Sequence, residues 1–255
     1  MDALVAHNRR MASGPTTQRR AVRVRSALVY ATQAVFAITA VYCVFGLLLS
    51  HFIEYSRFGR WDNAINRALA QRRSAWLDDL TGLGTRVVDT ASVFVITAVT
   101  ELVLVLRRLW RFAIAIPVAL ASELAIFVAT NEITRRPRPS VSKLGSVPKT
   151  FSFPSGHTAA AVVLFGIIAL ALGEHHPPFL RRLAYTTAGI LVVVVGFSRV
   201  YRGMHHVTDV VGGAAMGWAA VVVGFGAAAV AHPNAHRDQE HPAVSSRLQS
   251  RTPKT

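Results

Sequence analysis

The chain has 255 residues, a formal net charge of +15, a hydrophobic content of 52% and a mean hydropathy of +0.37. Its apolar residues form long blocks separated by arginine-rich segments, a pattern typical of an integral membrane protein and not of a basic nucleic-acid-binding protein. The single cysteine, Cys43, excludes an intrachain disulfide and a cysteine metal cluster. We therefore expect the lipid bilayer, and no nucleic acid, among the partners.

The apolar blocks predict an all-α polytopic bundle of six transmembrane helices flanked by two polar tails. Residues 1–26 hold six arginines and no apolar run, which predicts a basic, disordered cytoplasmic arm; residues 232–255 predict a second disordered tail. Residues 27–231 form the membrane domain. Its predicted spans are 27–50, 87–106, 112–133, 158–172, 183–197 and 210–231.

The polar segment between the first two spans, residues 51–86, has amphipathic stretches and two tryptophans, Trp61 and Trp76. It predicts an amphipathic helix, or two, on the membrane surface. Spans four and five have about 15 residues each, or about 23 Å, which is shorter than the hydrocarbon core. The polar loops at their outer ends are therefore expected at the depth of the lipid headgroups.

Six spans place both termini on one side of the membrane and the two long polar loops on the other. The lysines and arginines of the short turns favour cytoplasmic termini. This orientation predicts a plasma membrane protein whose polar loops face the outside.

Three polar clusters lie at the mouths of apolar blocks: RRPRP at 135–139, FSFPSGHTAA at 151–160 and SRVYRGMHHVTD at 198–209. Ser155 and Gly156 come just before a predicted helix, where hydroxyl and backbone N–H groups can converge on an anion. Arg138 and Arg199 offer planar donor forks that match phosphate oxygens. The clusters therefore indicate a site for phosphate.

Two histidines and an aspartate supply reactive groups for such a site. His205 and Asp209 stand at i and i+4, so the carboxylate can fix the imidazole tautomer and leave the other ring nitrogen free to attack phosphorus. His157 remains as a general acid. Together with the arginines, these residues predict hydrolysis of a phosphate ester.

At these residues the chain resembles the type 2 phosphatidic acid phosphatase family, which shares its core with vanadium haloperoxidases. The family pattern consists of K-x6-RP, PSGH and SR-x5-H-x3-D. The matching residues are Arg138 and Pro139, then 154–157, then Ser198, Arg199, His205 and Asp209. One position departs from the pattern: where the family's lysine would stand, the chain has Asn131, an amide that carries no charge.

The resemblance implies hydrolysis through a phosphohistidine intermediate, with no metal and no cofactor. It implies that His205 is the nucleophile, Asp209 its partner and His157 the acid. The implied phosphate-binding residues are Arg138, Ser155, Gly156 and Arg199, with Asn131 and Arg136 as further candidates. Arg136 is one of several nearby cations that would partly replace the missing lysine.

Membrane members of this family act on lipid phosphates or diphosphates, so the resemblance implies such a substrate. Our first choice is a polyprenyl diphosphate of the undecaprenyl or decaprenyl type; phosphatidic acid or phosphatidylglycerophosphate is the alternative. A second alternative is a non-catalytic lipid-phosphate-binding protein, because Asn131 stands where the family has a lysine.

A transporter is a further rival because six spans and Glu123, an ionisable residue near the middle of the third span, would suit one. The polar clusters lie at helix mouths, however, and not at the midplane where transporters bind. For Glu123 we expect a protonated or hydrogen-bonded packing role.

Overall fold

The computed structural model describes residues 15–53 and 55–232, a part of the chain that contains helices and loops but no strand. It has eight α-helices, and a π-helical turn, Leu49–Ile53, follows the first. The helices are α1 Pro15–Leu48, α2 Arg57–Gln71, α3 Ala75–Arg86, α4 Thr90–Leu106, α5 Trp110–Thr134, α6 Gly156–His175, α7 Pro178–Tyr201 and α8 Val207–Ala231. The tails predicted to be disordered lie outside the described residues at 1–14 and 233–255.

Five of these helices, α1, α5, α6, α7 and α8, are long and apolar enough to cross a membrane. Helices α3 and α4 are bent by 50° relative to one another and form a sixth candidate span when taken together. The prediction of an all-helical, multi-pass membrane protein is confirmed. Its orientation in the membrane stays a prediction.

Several helices extend beyond the predicted spans. Helix α1 begins at Pro15, so residues 15–26, assigned above to a disordered arm, are helical. Helices α6 and α7 have 20 and 24 residues, long enough to cross the hydrocarbon core, so the inference from two short spans was wrong. The hydropathy pattern ended these spans at the first polar residues, but the helices continue through them. Ser198 and Arg199 are buried at the end of α7, whereas Arg181 and Arg182 are exposed at its start.

Helix α6 packs at the centre of the bundle against α5 and α8. Its buried side chains Val163 and Ile167 belong to one apolar cluster with residues of α5 and α8, including Phe112, Ile116 and Val221. The small residues of α8 allow close approach to α6. Gly213 is the clearest case, because a β-carbon there would collide with the backbone carbonyl of Ser155.

Replacing Gly213 with alanine is therefore expected to push α8 away from the start of α6. Overpacking at a backbone contact costs about 1–3 kcal/mol, so the melting temperature in detergent should fall by several degrees. Gly189, whose β-carbon would meet nothing within 4 Å, provides the control. Equal melting temperatures for Gly213→Ala and Gly189→Ala would contradict the predicted contact.

The segment between α1 and α4 forms the predicted amphipathic helices, α2 and α3. Phe58 and Trp61 of α2 are about half exposed, whereas Asp62 and Asn66 are fully buried. The polar face of α2 packs against the loops that carry the phosphate motifs. The helix therefore supports the loops of the site, a role that was not predicted for it.

Candidate active site

The three polar clusters meet at one end of the bundle, as predicted. The Ser152 amide donates to the Arg136 carbonyl at 2.9 Å, which joins the first cluster to the second. The Ser155 amide donates to the Asp209 carbonyl at 3.0 Å, which joins the second to the third. The two loops and the N-termini of α6 and α8 thus form one continuous hydrogen-bonded unit.

His205 is buried, and both of its ring nitrogens have defined surroundings. Nδ1 lies 2.7 Å from the backbone carbonyl oxygen of Ser152. A carbonyl can only accept, so Nδ1 carries the proton and Nε2 has a free lone pair. Nε2 lies 3.4 Å from Nη1 of Arg138, which can donate to it. The unprotonated nitrogen therefore faces the cationic side of the site.

Asp209 does not fix the imidazole in the way predicted from the i, i+4 spacing. Its Oδ2 lies 3.8 Å from Nδ1 of His205, too far for a hydrogen bond. Oδ2 instead accepts from the Ser152 hydroxyl and, at 2.8 Å, from the His206 amide. Its charge lies near the imidazole, but the backbone carbonyl of Ser152 sets the tautomer.

Arg136 lies in a buried ion cluster. Its guanidinium group bonds to Asp209 through Nη1 and to Asp62 through Nη2, at 3.2 Å in the second case. Burial alone would lower the pKa of Arg136, but Asp209 and Asp62 outweigh that effect and raise it. Arg136 thus positions Asp209 and does not line the cavity described below, contrary to the suggestion that it binds phosphate.

Asp62 is a site residue that the sequence analysis missed. One oxygen accepts from the Val207 amide at 2.8 Å, and the other accepts from the Thr208 hydroxyl. Asp62 therefore caps the start of α8 from a different helix. It also supplies the second carboxylate for Arg136.

Asn66 contributes to the same contact between α2 and the third cluster. Its side-chain amide donates to the carbonyls of Val200 and His205 at 3.2 and 3.0 Å. The only sequence signal was the i, i+4 spacing of Asp62 and Asn66, which places them on one helix face. Spacing does not tell which surface that face contacts.

A cavity of about 530 Å³ opens beside His205 and His157. Its polar end is lined by those two histidines together with Arg138, Arg199, Thr150 and Gly156. Apolar side chains of α4 and α5 continue the walls away from this end, among them Val93, Phe94, Leu120, Leu124 and Phe127. The shape suits a molecule with an anionic head and a hydrocarbon body.

Two arginines supply positive charge at the polar end. Arg138 is held by Thr150, whose hydroxyl accepts from Nη2 at 3.1 Å, and by the Met204 carbonyl. Arg199 is only 4% exposed, and its Nε has no hydrogen-bond partner. Among the described residues no carboxylate lies within ion-pair distance of Arg199. A buried guanidinium without a counter-charge is costly, so the site is suited to an anion.

The predicted phosphate contacts of Ser155 and Gly156 differ in their geometry. Gly156 lines the cavity at the N-terminus of α6. The Ser155 hydroxyl is buried and lies 2.9 Å from the Thr158 hydroxyl, and its amide bonds to Asp209, so neither group lines the cavity. A direct contact between Ser155 and phosphate stays a prediction.

Asn131 is the residue where the family pattern has a lysine, and it lies outside the cavity. Its amide nitrogen donates to the carbonyls of Phe151 and Phe153 at 3.0 Å each. Its oxygen accepts from the Phe151 amide at 2.8 Å. Asn131 therefore holds the second cluster in place, and it does not substitute for a phosphate-binding cation.

Asn131→Lys is accordingly expected to destabilise the protein. A lysine cannot accept from the Phe151 amide and would bury a charge, at a cost of about 3 kcal/mol or more. The melting temperature in detergent should fall by about 5–10 °C. Glu132→Lys, at the exposed neighbouring position, is the control. A fully stable Asn131→Lys protein with faster turnover would show that the lysine instead reaches the site.

Burial lowers the pKa of His205 to about 4. The imidazole is therefore neutral at physiological pH, as nucleophilic attack requires. Within the described residues, no group of three His, Cys, Asp or Glu side chains is placed to bind a metal ion.

Residues 112–231 match the family model for the PAP2 superfamily. Over 178 residues the chain is 32% identical to phosphatidylglycerophosphatase B of Bacillus subtilis, covering 68% of this chain and 86% of that protein. It is also 31% identical over 99 residues to lipid phosphate phosphatase delta of Arabidopsis thaliana, covering 34% of this chain and 24% of that protein.

Two solved structures share the fold. A transmembrane PAP2-type phosphatidylglycerolphosphate phosphatase from Bacillus subtilis superposes with a TM-score of 0.64 at 26% identity, covering 81% of this chain and 98% of that one. LpxE of Aquifex aeolicus superposes with a TM-score of 0.50 at 22% identity, covering 64% and 92%. The chain therefore belongs to the PAP2 superfamily and is a multi-pass membrane lipid phosphatase.

Proposed function

We propose that the chain removes the terminal phosphate of a glycerophospholipid monoester, either phosphatidylglycerophosphate or phosphatidic acid. The relatives of known activity favour this alternative over a polyprenyl diphosphate, our first choice from the sequence, which nothing confirms. The proposed substrate class is inferred from the similarity of this chain to those relatives, and the shape and lining of the cavity support it.

The observation that carries the proposal is the buried, unpaired Arg199 at the polar end of the cavity. A phosphate monoester would supply the missing negative charge and accept from both arginines. The apolar walls formed by α4 and α5 would hold the acyl chains. Phosphate recognition is strong in such a site because the dielectric constant is low.

In the proposed mechanism Nε2 of His205 attacks phosphorus, and the bond between phosphorus and the lipid oxygen breaks. His157 donates a proton to that oxygen, so a lipid alcohol leaves. A water molecule then attacks the phosphohistidine while His157 accepts its proton. Inorganic phosphate leaves and His205 is regenerated. Arg138 and Arg199 stabilise the charge on the phosphoryl oxygens throughout.

Arg138 also has a part before substrate arrives. Its Nη1 lies against the lone pair of Nε2, at 3.4 Å. An incoming phosphate would take over this guanidinium group and expose the lone pair to phosphorus. The same arginine thus shields the resting nucleophile and binds the substrate in our proposal.

The test is phosphate release by detergent-solubilised protein with a chelator present, on phosphatidylglycerophosphate, phosphatidic acid and a polyprenyl diphosphate. We expect the two glycerolipids to have the higher kcat/KM. Arg199→Ala should lower kcat/KM by about 10²–10³-fold. Arg135→Ala, an exposed arginine of the first cluster, is the control. Turnover of the polyprenyl diphosphate alone would reject the proposal, and no turnover on any substrate would favour a binding protein.

The pH profile offers a separate check on His205. Its pKa of about 4 places the acid limb of kcat/KM that belongs to this residue near pH 4, with activity lost as the pH falls through that value. The phosphate monoester of the substrate itself ionises near pH 6. The substrate is therefore titrated in the same micelles, and the effect of its ionisation is subtracted from the pH profile of kcat/KM. A remaining limb near pH 6.5, the ordinary histidine value, would contradict a neutral buried imidazole.

A further inference from the structure

Glu123 lies near the middle of α5 and lines the cavity between the apolar side chains Leu120, Leu124 and Phe127. It is 7% exposed, and it forms no hydrogen bond or ion pair with any residue that the structure describes. The hydrogen-bonded packing role expected from the sequence is therefore not observed. A buried polar group without a partner is costly, and one that faces a cavity indicates a polar group on the ligand.

The position of Glu123 relative to the phosphate end follows from the helix geometry. A β-carbon at Gly156 would lie 3.2 Å from the ring of Phe127, so Phe127 is level with the start of α6. Glu123 precedes Phe127 by one helical turn, about 6 Å along α5. It therefore lies one turn deeper than Gly156, on the path from the phosphate to the hydrocarbon part of the cavity.

The lipid classes under consideration differ at this level. In phosphatidic acid the glycerol backbone and its ester carbonyls follow directly after the phosphate that is removed. In phosphatidylglycerophosphate a second glycerol and a phosphodiester come between, and in a polyprenyl diphosphate a second phosphate and then only hydrocarbon follow. An ester carbonyl can only accept a hydrogen bond, so the protonated carboxyl group of Glu123 would be the donor. Donation to an ester would satisfy the buried carboxyl group.

We propose that Glu123 recognises an ester carbonyl of phosphatidic acid and is the residue that selects this lipid over the other candidate substrates. This proposal rests on the proposed function and deepens it. Glu123 is a specificity residue and takes no part in the phosphoryl transfer.

The experiment combines a change in the enzyme with a change in the substrate. Parent protein and Glu123→Leu are each assayed on dioleoyl phosphatidic acid and on its dialkyl ether analogue, which lacks the carbonyls. The parent should prefer the ester about tenfold, the worth of one buried hydrogen bond. In Glu123→Leu, kcat/KM for the ester should fall to the value for the ether, and kcat/KM for the ether should stay unchanged. Glu123→Gln keeps a donor and should keep the preference.

Glu101→Leu provides the matched control, because Glu101 is the membrane acid of α4 and does not line this cavity. Its ester-to-ether ratio should equal that of the parent. Melting temperatures accompany each assay, and if Glu123→Leu fails to fold, Glu123→Gln and the ether analogue still test the proposal.

Each contrary result has a distinct meaning. Equal losses on ester and ether in Glu123→Leu would assign Glu123 to packing and overturn the proposal. Loss in Glu123→Gln on both substrates, with a shifted pH profile, would assign it to proton transfer and also overturn it. A parent protein that hydrolyses no glycerolipid would reject the proposed function itself, independently of Glu123.

Discussion

Replacing His205 with alanine is expected to lower phosphate release by about 10⁴-fold or more, because it removes the proposed nucleophile. The side chain makes one bond to Ser152 and one weak contact with Arg138, so the fold should survive its loss. The measurement is phosphate release by purified protein, with melting temperature as the check on folding. His176→Ala, at an exposed histidine at the far end of α6, should leave the activity unchanged.

A stronger form of this test looks for the covalent intermediate directly. Parent protein that is quenched with alkali during turnover of labelled lipid should carry phosphate in an acid-labile, base-stable form. His157→Ala should form this species more slowly, because it lacks the group that protonates the leaving lipid oxygen. His205→Ala should carry no label. Label retained in His205→Ala, or activity within tenfold of the parent, would assign the attack to another group.

Replacing Arg136 with methionine is expected to have the largest effect on stability. The change leaves Asp62 and Asp209 buried and facing one another without a cation. Removal of one member of a buried ion cluster costs about 3–5 kcal/mol, so the melting temperature should fall by about 10 °C or more. Activity should fall as well, because Asp209 holds the Ser152 hydroxyl and the His206 amide in place.

Arg135→Met is the control for this variant, since Arg135 is adjacent in sequence but exposed. The double variant Arg136→Met with Asp62→Asn should be less destabilised than the sum of the two single changes, because the second change removes one of the uncompensated charges. Strictly additive losses would mean that Arg136 and Asp62 do not form the buried pair.

The residues to which we assign the chemistry could be chosen from the sequence because each offers a particular functional group. An imidazole has an ordinary pKa near neutrality and a guanidinium group offers a planar fork of donors, so His157, His205 and Arg199 are visible in the sequence. The spans were predictable because a helix that crosses the hydrocarbon core needs about 20 consecutive apolar residues, which are visible in the sequence. The sequence alone therefore determined the fold class, the family and the reactive groups.

Tertiary structure decided the partners of those groups. The spacing of His205 and Asp209 permits a hydrogen bond, but the Ser152 carbonyl occupies the bonding position, at 2.7 Å against 3.8 Å. Asn131 gave the appearance of a lost cation, yet it holds the second cluster by three hydrogen bonds. A backbone carbonyl carries no sequence signal, and a side chain's direction depends on its neighbours in space.

The same reason explains why the packing of α2 against the motif loops was missed. Helix α2 is amphipathic in its sequence, and an amphipathic pattern is equally compatible with a membrane surface and with a protein surface. Asp62 lies opposite Arg136 only because the chain folds back across 74 residues to bring them together. The sequence by itself determined which groups are available for catalysis, and the long-range packing determined which of them touch.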